Sequence, residues 1–105
     1  MLKCDFGNLQ REISLLESTA ASVLHWDVMD GHFVPNLSYG AMVIRSVRSC
    51  TEMLFDAHLM MSDPASYLDD FVDAGCDCIT IHAECEGDTR EIVQQIQSRG
   101  VAAGV

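Results

Sequence analysis

Three short runs in this chain divide their side chains in the same way, and that division limits what the chain can become. Along a strand, successive side chains point to opposite sides. In residues 23–29, Val23, His25, Asp27 and Met29 therefore share one side, and Leu24, Trp26 and Val28 the other. In residues 53–60, Leu54, Asp56, His58 and Met60 oppose Met53, Phe55, Ala57 and Leu59. In residues 78–84, Thr80, His82 and Glu84 oppose Ile79 and Ile81. Each run has one side that demands cover and another that carries ionisable groups towards its C-terminal end. A single interior histidine is most simply a hydrogen-bonded core group. Three successive strands that aim such groups the same way point instead to a shared site.

The cover is supplied by the segments between the runs. Residues 8–19 begin at Asn8, a favourable N-cap, and set Leu9, Ile13 and Leu16 on one helical stripe. Residues 39–49 follow Ser38, with Val43, Ile44 and Val47 facing inward and Arg45 and Arg48 outward. A third helix opens at Asp63-Pro64, buries Leu68, Phe71 and Val72, and stops at Gly75. A fourth has Asp88 and Glu91 at capping-box spacing, an Ile92, Val93 and Ile96 stripe, and Gly100 at its end. With a strand stub at residues 1–4 and a new apolar run from Val101, strands and helices alternate strictly. Alternation with short turns implies right-handed crossovers and a parallel sheet. No glycine-rich phosphate turn follows a strand, as a Rossmann sheet would require. Ionisable groups gathered at C-terminal strand ends fit a (β/α)₈ barrel. The expected fold is α/β: a partial TIM barrel running from the end of strand 1 to the start of strand 5, with residues 1–105 as one incomplete domain.

The run His25-Trp26-Asp27-Val28-Met29-Asp30-Gly31-His32-Phe33-Val34-Pro35-Asn36 resembles the signature of the ribulose-phosphate 3-epimerase family. So do Asp56-Ala57-His58-Leu59-Met60, the Asp63-Pro64 helix start, Ala74-Gly75-Cys76-Asp77 and Ile79-Thr80-Ile81-His82-Ala83-Glu84. The likeness extends over nearly the whole chain. It implies a metal-dependent isomerase of the pentose phosphate pathway that inverts C3 of D-ribulose 5-phosphate to give D-xylulose 5-phosphate through an enediolate.

Carried onto these positions, it makes His25, Asp27 and His58 metal ligands and Asp27 one of two acid/base groups. His58, Met29 and Met60 would border the substrate. Asp56, close to His58, would accept the ring N–H that a metal-bound imidazole leaves free. The cofactor expected is one divalent ion (Zn, Fe, Mn or Co), which imidazole and carboxylate donors suit alike. His32 is assigned to the loop, Asp30 to bracing the Gly31 turn, and His82 and Glu84 to interior hydrogen bonds ahead of support for the metal ligands. A hexulose-phosphate (allulose 6-phosphate) 3-epimerase, or a non-catalytic metal-binding half-barrel, would share the same motifs.

Two family features have no counterpart here: the second aspartate, which also ligates the metal after a late strand, and the phosphate-gripping glycine loops. A whole barrel of this type needs about 250 residues, and this chain has 105. Lys3 stands where the family places a substrate-contacting serine. The expectation is an N-terminal fragment that is inactive alone and poorly folded or self-associating, because half a barrel leaves open edges and an inner face without its opposing wall. The full-length protein is expected to be a homo-oligomer.

A net charge of −10 with only six Lys and Arg argues against nucleic acid or an anionic membrane as partner. No apolar run reaches the ~20 residues of a membrane span, and no signal peptide is visible, so a cytoplasmic location is expected. The five cysteines, at 4, 50, 76, 78 and 85, contain no Cys-x-x-Cys pair and read as packing residues or free thiols rather than a zinc knuckle.

Overall fold

A computed structural model describes residues 1–105. Helices α1 (Leu9–Glu17), α2 (Ala41–Val47), α3 (Leu68–Asp73) and α4 (Thr89–Ser98) alternate with strands β1 (Val23–Met29), β2 (Leu54–Met60), β3 (Cys78–Thr80) and β4 (Ala102–Gly104). Every neighbouring pair of strands is parallel, and the sheet order follows the chain, β1-β2-β3-β4. Each crossover thus places the next strand beside the last. This is the α/β arrangement of a partial TIM barrel.

The two-sided reading holds along β1 and β2, but the third run ends as a strand at Thr80: His82 and Glu84 lie in the loop beyond β3, and the Glu84 side chain is 76% exposed rather than interior. Leu24, Trp26, Val28, Phe55, Ala57, Leu59, Ile79 and Ile81 are buried, and they share one core with Ile13, Ile44, Val47, Leu68, Phe71, Ile92 and Ile96 from the helices. Burying each such Leu, Ile or Val side chain stabilises the fold by about 1.5–3 kcal/mol relative to exposure. The other sheet face has no covering layer: Val23 and Leu54 are exposed, and the groups between them and the strand ends are half-buried or exposed.

The helices begin later and end earlier than the periodicity suggests. Asn8 makes no capping bond; Asp5 accepts from the Gly7 N–H and opens a 3₁₀ turn that leads into α1. A 3₁₀ turn at Ala65–Tyr67 likewise precedes α3, with Asp63 accepting from the backbone and hydroxyl of Ser66. For α4 the cap is as read: the Asp88 carboxylate accepts from the N–H groups of Arg90 and Glu91.

Residues 1–4 are a turn, not a strand stub, because the Cys4 N–H folds back onto the Met1 carbonyl at 3.2 Å. The open edge of β1 is satisfied by other groups. The terminal ammonium donates to the His25 carbonyl at 2.7 Å. The Ser38 hydroxyl donates to the Asp27 carbonyl at 2.7 Å and accepts from the Met29 N–H at 3.0 Å. Ser38 is therefore an edge clasp for the strand rather than the cap of α2, whose N-cap position is Gly40.

Arg48 also departs from expectation. Its guanidinium lies over the Phe55 ring, 3.8 Å from the centroid, and donates to the carbonyls of Thr51 and Met53 at 2.7 and 2.8 Å. It also reaches Asp77 at 3.3 Å. These carbonyls lie at the N-terminal approach to β2, where no strand or helix would satisfy them, and a planar fork of donors can serve several at once. Gly75 makes room for that arm: a Cβ there would come within 2.7 Å of the Arg48 side chain, at a φ of +87°.

Candidate metal centre

The register of β1 against β2 builds the centre. Val23 faces Leu54, His25 faces Asp56, Asp27 faces His58 and Met29 faces Met60. Imidazole and carboxylate thus alternate both along each strand and across the pair. One ligand atom from each of His25, Asp27 and His58 lies within 4.8 Å of the others. His25 Nε2 is 3.2 Å and His58 Nδ1 3.1 Å from the same oxygen, Asp27 Oδ1. Two ring nitrogens and a carboxylate converge on one point over the open sheet face. The donor set fits a borderline divalent cation such as Zn, Fe, Mn or Co. A cation held by these three donors would keep positions open for further ligands or substrate.

The groups behind these residues are equally ordered. Asp56 Oδ2 accepts from His25 Nδ1 at 2.7 Å, and the Thr80 hydroxyl donates to Asp56 Oδ1 at 3.4 Å. The partner of Asp56 is thus His25, directly across the strand pair, and not His58, its near neighbour in sequence. His58 Nε2 meets His82 Nε2 at 2.7 Å instead. The His58 and His82 ring centroids are 4.9 Å apart with 29° between planes, and the Phe33 ring lies 5.0 Å from His82.

Met29 and Met60, both half-buried, stand one register step beyond Asp27 and His58 at the strand ends. An apolar groove of about 530 Å³ between the β1–α2 loop, α2 and α3 includes Met29 and Ser38 but none of the three converging residues. The three converging side chains lie on the sheet face, outside that groove.

Asp30 fixes the loop above the centre. One carboxylate oxygen accepts from the N–H groups of His32 and Phe33, both at 2.8 Å, and the other from Ser62 N–H at 2.8 Å. It therefore joins the loops that leave β1 and β2, the two strands bearing the candidate ligands. These three N–H groups, led by that of Ser62, hold its carboxyl down at about 2. Because the folded value lies below the unfolded one, the clamp contributes stability above the ordinary carboxylate range and loses it as pH falls towards 2. In a pH titration followed by NMR, the amide resonances of His32, Phe33 and Ser62 are expected to move together with a midpoint of about 2. A shared midpoint at about 4, the ordinary carboxylate value, would show that the clamp is not formed.

His32 stays in that loop, its ring Nδ1 3.2 Å from the Asp30 carbonyl. The five cysteines are free thiols, and burial pushes Cys76 up to about 12.

The whole chain, residues 1–105, matches the model of the ribulose-phosphate 3 epimerase family. The chain belongs to this family. Its relatives named ribulose-phosphate 3-epimerase include one from Treponema pallidum (strain Nichols), 48% identical over 105 residues, and one from Bacillus subtilis (strain 168), 41% identical over 105 residues. A cytoplasmic isoform from Oryza sativa subsp. japonica is 42% identical over 106 residues. Each match covers 100% of this chain but only 48%, 48% and 46% of the respective relative. This epimerase-family chain thus spans about half the length of the curated relatives it matches. No helix in it is long and apolar enough to cross a membrane.

Proposed function

We propose that the chain is the metal-holding half of a ribulose-phosphate 3-epimerase, inverting C3 of D-ribulose 5-phosphate to give D-xylulose 5-phosphate. The convergence of His25, Asp27 and His58 within 4.8 Å supports this reading most directly. His25, Asp27 and His58 would hold one divalent cation, which when bound would act as a Lewis acid for negative charge developing on substrate oxygens.

The remaining work falls to the chain's own residues. The Asp27 carboxylate removes the C3 proton from one face of the sugar, leaving a planar enediolate. Inversion requires a proton from the opposite face, and the family resemblance assigns that step to an aspartate with no counterpart in residues 1–105. At the end of the turnover Asp27 carries the proton it took, and the opposing group has given one up. Met29 and Met60 border the planar intermediate with weakly polar thioethers and keep water from quenching it. His58 adds an edge of the substrate pocket. The name of the rice relative supports a cytoplasmic location, and the family resemblance implies a homo-oligomer of the complete enzyme.

The test is a fusion of residues 1–105 to the C-terminal half of the Treponema pallidum relative. In deuterated water with D-ribulose 5-phosphate, the fusion is expected to exchange the C3 proton and form D-xylulose 5-phosphate. A folded, metal-loaded fusion that does neither would overturn the proposal.

A further inference from the structure

One contact at the centre has no place in the proton-transfer scheme: the 2.7 Å approach of His58 Nε2 to His82 Nε2. Two ring nitrogens at that distance form a hydrogen bond only if one carries a proton and the other offers a lone pair. The other nitrogen of His58, Nδ1, is the one turned to Asp27, at 3.1 Å. A neutral imidazole has a single N–H, so a ring that gives its Nδ1 lone pair to a cation must carry its proton on Nε2. The partner at Nε2 must then be an acceptor.

We propose that His82 is the positioning residue for His58: with a cation at the centre, its Nε2 accepts the Nε2–H of His58 and holds that ring with Nδ1 aimed at Asp27. The inference rests on the metal-centre reading and deepens it. Without a cation, Nδ1–H of His58 donates to Asp27, and Nε2 of His58 accepts from His82. Loading reverses the bond. The His58 proton moves from Nδ1 to Nε2, and the His82 proton moves from Nε2 to Nδ1, with no net gain or loss of protons. The relocated proton has somewhere to go: His82 Nδ1 is 3.9 Å from Glu84 Oε2, and the His82 side chain is 34% exposed to solvent.

The rings meet end to end, their centroids 4.9 Å apart with 29° between planes, so that the two Nε2 atoms face each other, and Phe33 lies 5.0 Å from His82. The other imidazole, His25, is fixed differently. A permanent acceptor, Asp56, sits at 2.7 Å from its Nδ1 and leaves Nε2 as the ligand nitrogen in every state. The two histidines are thus oriented by partners of different kinds, one an anion and one a neutral ring.

The test uses residues 1–105 fused to the C-terminal half of the Treponema pallidum relative, with zinc ion as the probe, followed by calorimetric titration and by nitrogen-15 NMR of labelled histidines. His82→Phe keeps a ring and removes the acceptor; it is expected to weaken zinc binding by about 10–100-fold. His82→Gln offers an amide oxygen in place of the ring nitrogen and is expected to retain wild-type affinity. In the unaltered chain, zinc is expected to shift the protonated nitrogen of His58 from Nδ1 to Nε2.

Equal zinc affinity in His82→Phe and the parent would overturn the role of His82, provided that Asp27→Asn still loses affinity. If Asp27→Asn and His25→Ala are also unchanged, or the parent binds no zinc, the metal-centre reading itself falls. Should His82→Phe fail to fold, the NMR decides: a zinc-loaded His58 with no proton on Nε2 refutes the proposal.

Discussion

Asp27→Asn in the fused enzyme is expected to lower C3 proton exchange by about 10²–10⁴-fold, the range usual for loss of a positioned acid/base group. The substitution retains size and an oxygen that can still accept from His58 Nδ1, now 3.1 Å away. It removes the capacity to take up a proton and weakens the ligand. Those two losses are separable. Saturating metal restores occupancy of the centre but supplies no base, so exchange is expected to stay low at any metal concentration. The fold should change little, because Asp27 lies on the uncovered sheet face and contributes nothing to the apolar core. Exchange within tenfold of the parent enzyme at saturating metal would remove Asp27 from proton transfer.

Trp26→Ala is expected to cost about 3–5 kcal/mol, the range for emptying a large aromatic from a packed interior. Trp26 is 0% exposed and lies between the two candidate ligands of β1. Its ring meets Phe55 at 5.3 Å and stands edge-on to Tyr39 at 5.7 Å. A domain has only about 5–15 kcal/mol in all. Cooperative unfolding of the fusion in urea, followed by circular dichroism, should therefore be lost or nearly lost. Trp26→Phe gives a sharper comparison. The indole Nε1 has no hydrogen-bond partner, so its removal eliminates a buried unsatisfied donor and offsets part of the lost packing. The Phe variant is expected to remain folded and to retain zinc binding. A Trp26→Ala loss below about 1 kcal/mol would show that the cavity collapses without cost.

The strand faces were legible because period-2 alternation is a local property, and Leu24, Trp26, Val28 against His25, Asp27 expresses it without ambiguity. Register was not, since it depends on where α2 returns the chain relative to β1. That is why Asp56 was matched with its sequence neighbour His58 when it bonds His25. A usable signal was nonetheless present: His-x-Asp in one strand and Asp-x-His in the next pair every imidazole with a carboxylate when the strands lie level. Arg48 was read as outward because helical spacing counts charge as exposure. Nothing local reveals carbonyls at Thr51 and Met53 in need of a donor. The turn at residues 1–4 was missed for a related reason. Apolar residues there suggest a strand, but the edge they would join bonds Ser38 instead. His82 could be placed on the correct face but not at a distance from His58, which depends on β3 pairing and on the Phe33 loop.

The alternation of acid and base across β1 and β2 also resolves an ambiguity that greasiness alone leaves open. Sliding one strand by two residues keeps every apolar group inside, so the core could not detect the error. In one direction, however, the slide would set His25 beside His58; in the other, Asp27 beside Asp56. Each mispairing places like beside like, and only the level alignment lets imidazole meet carboxylate at both ionisable rungs, His25 with Asp56 and Asp27 with His58. A cation bridging the two strands would reward that same alignment, making occupancy of the centre a proofreader of how the chain zips together.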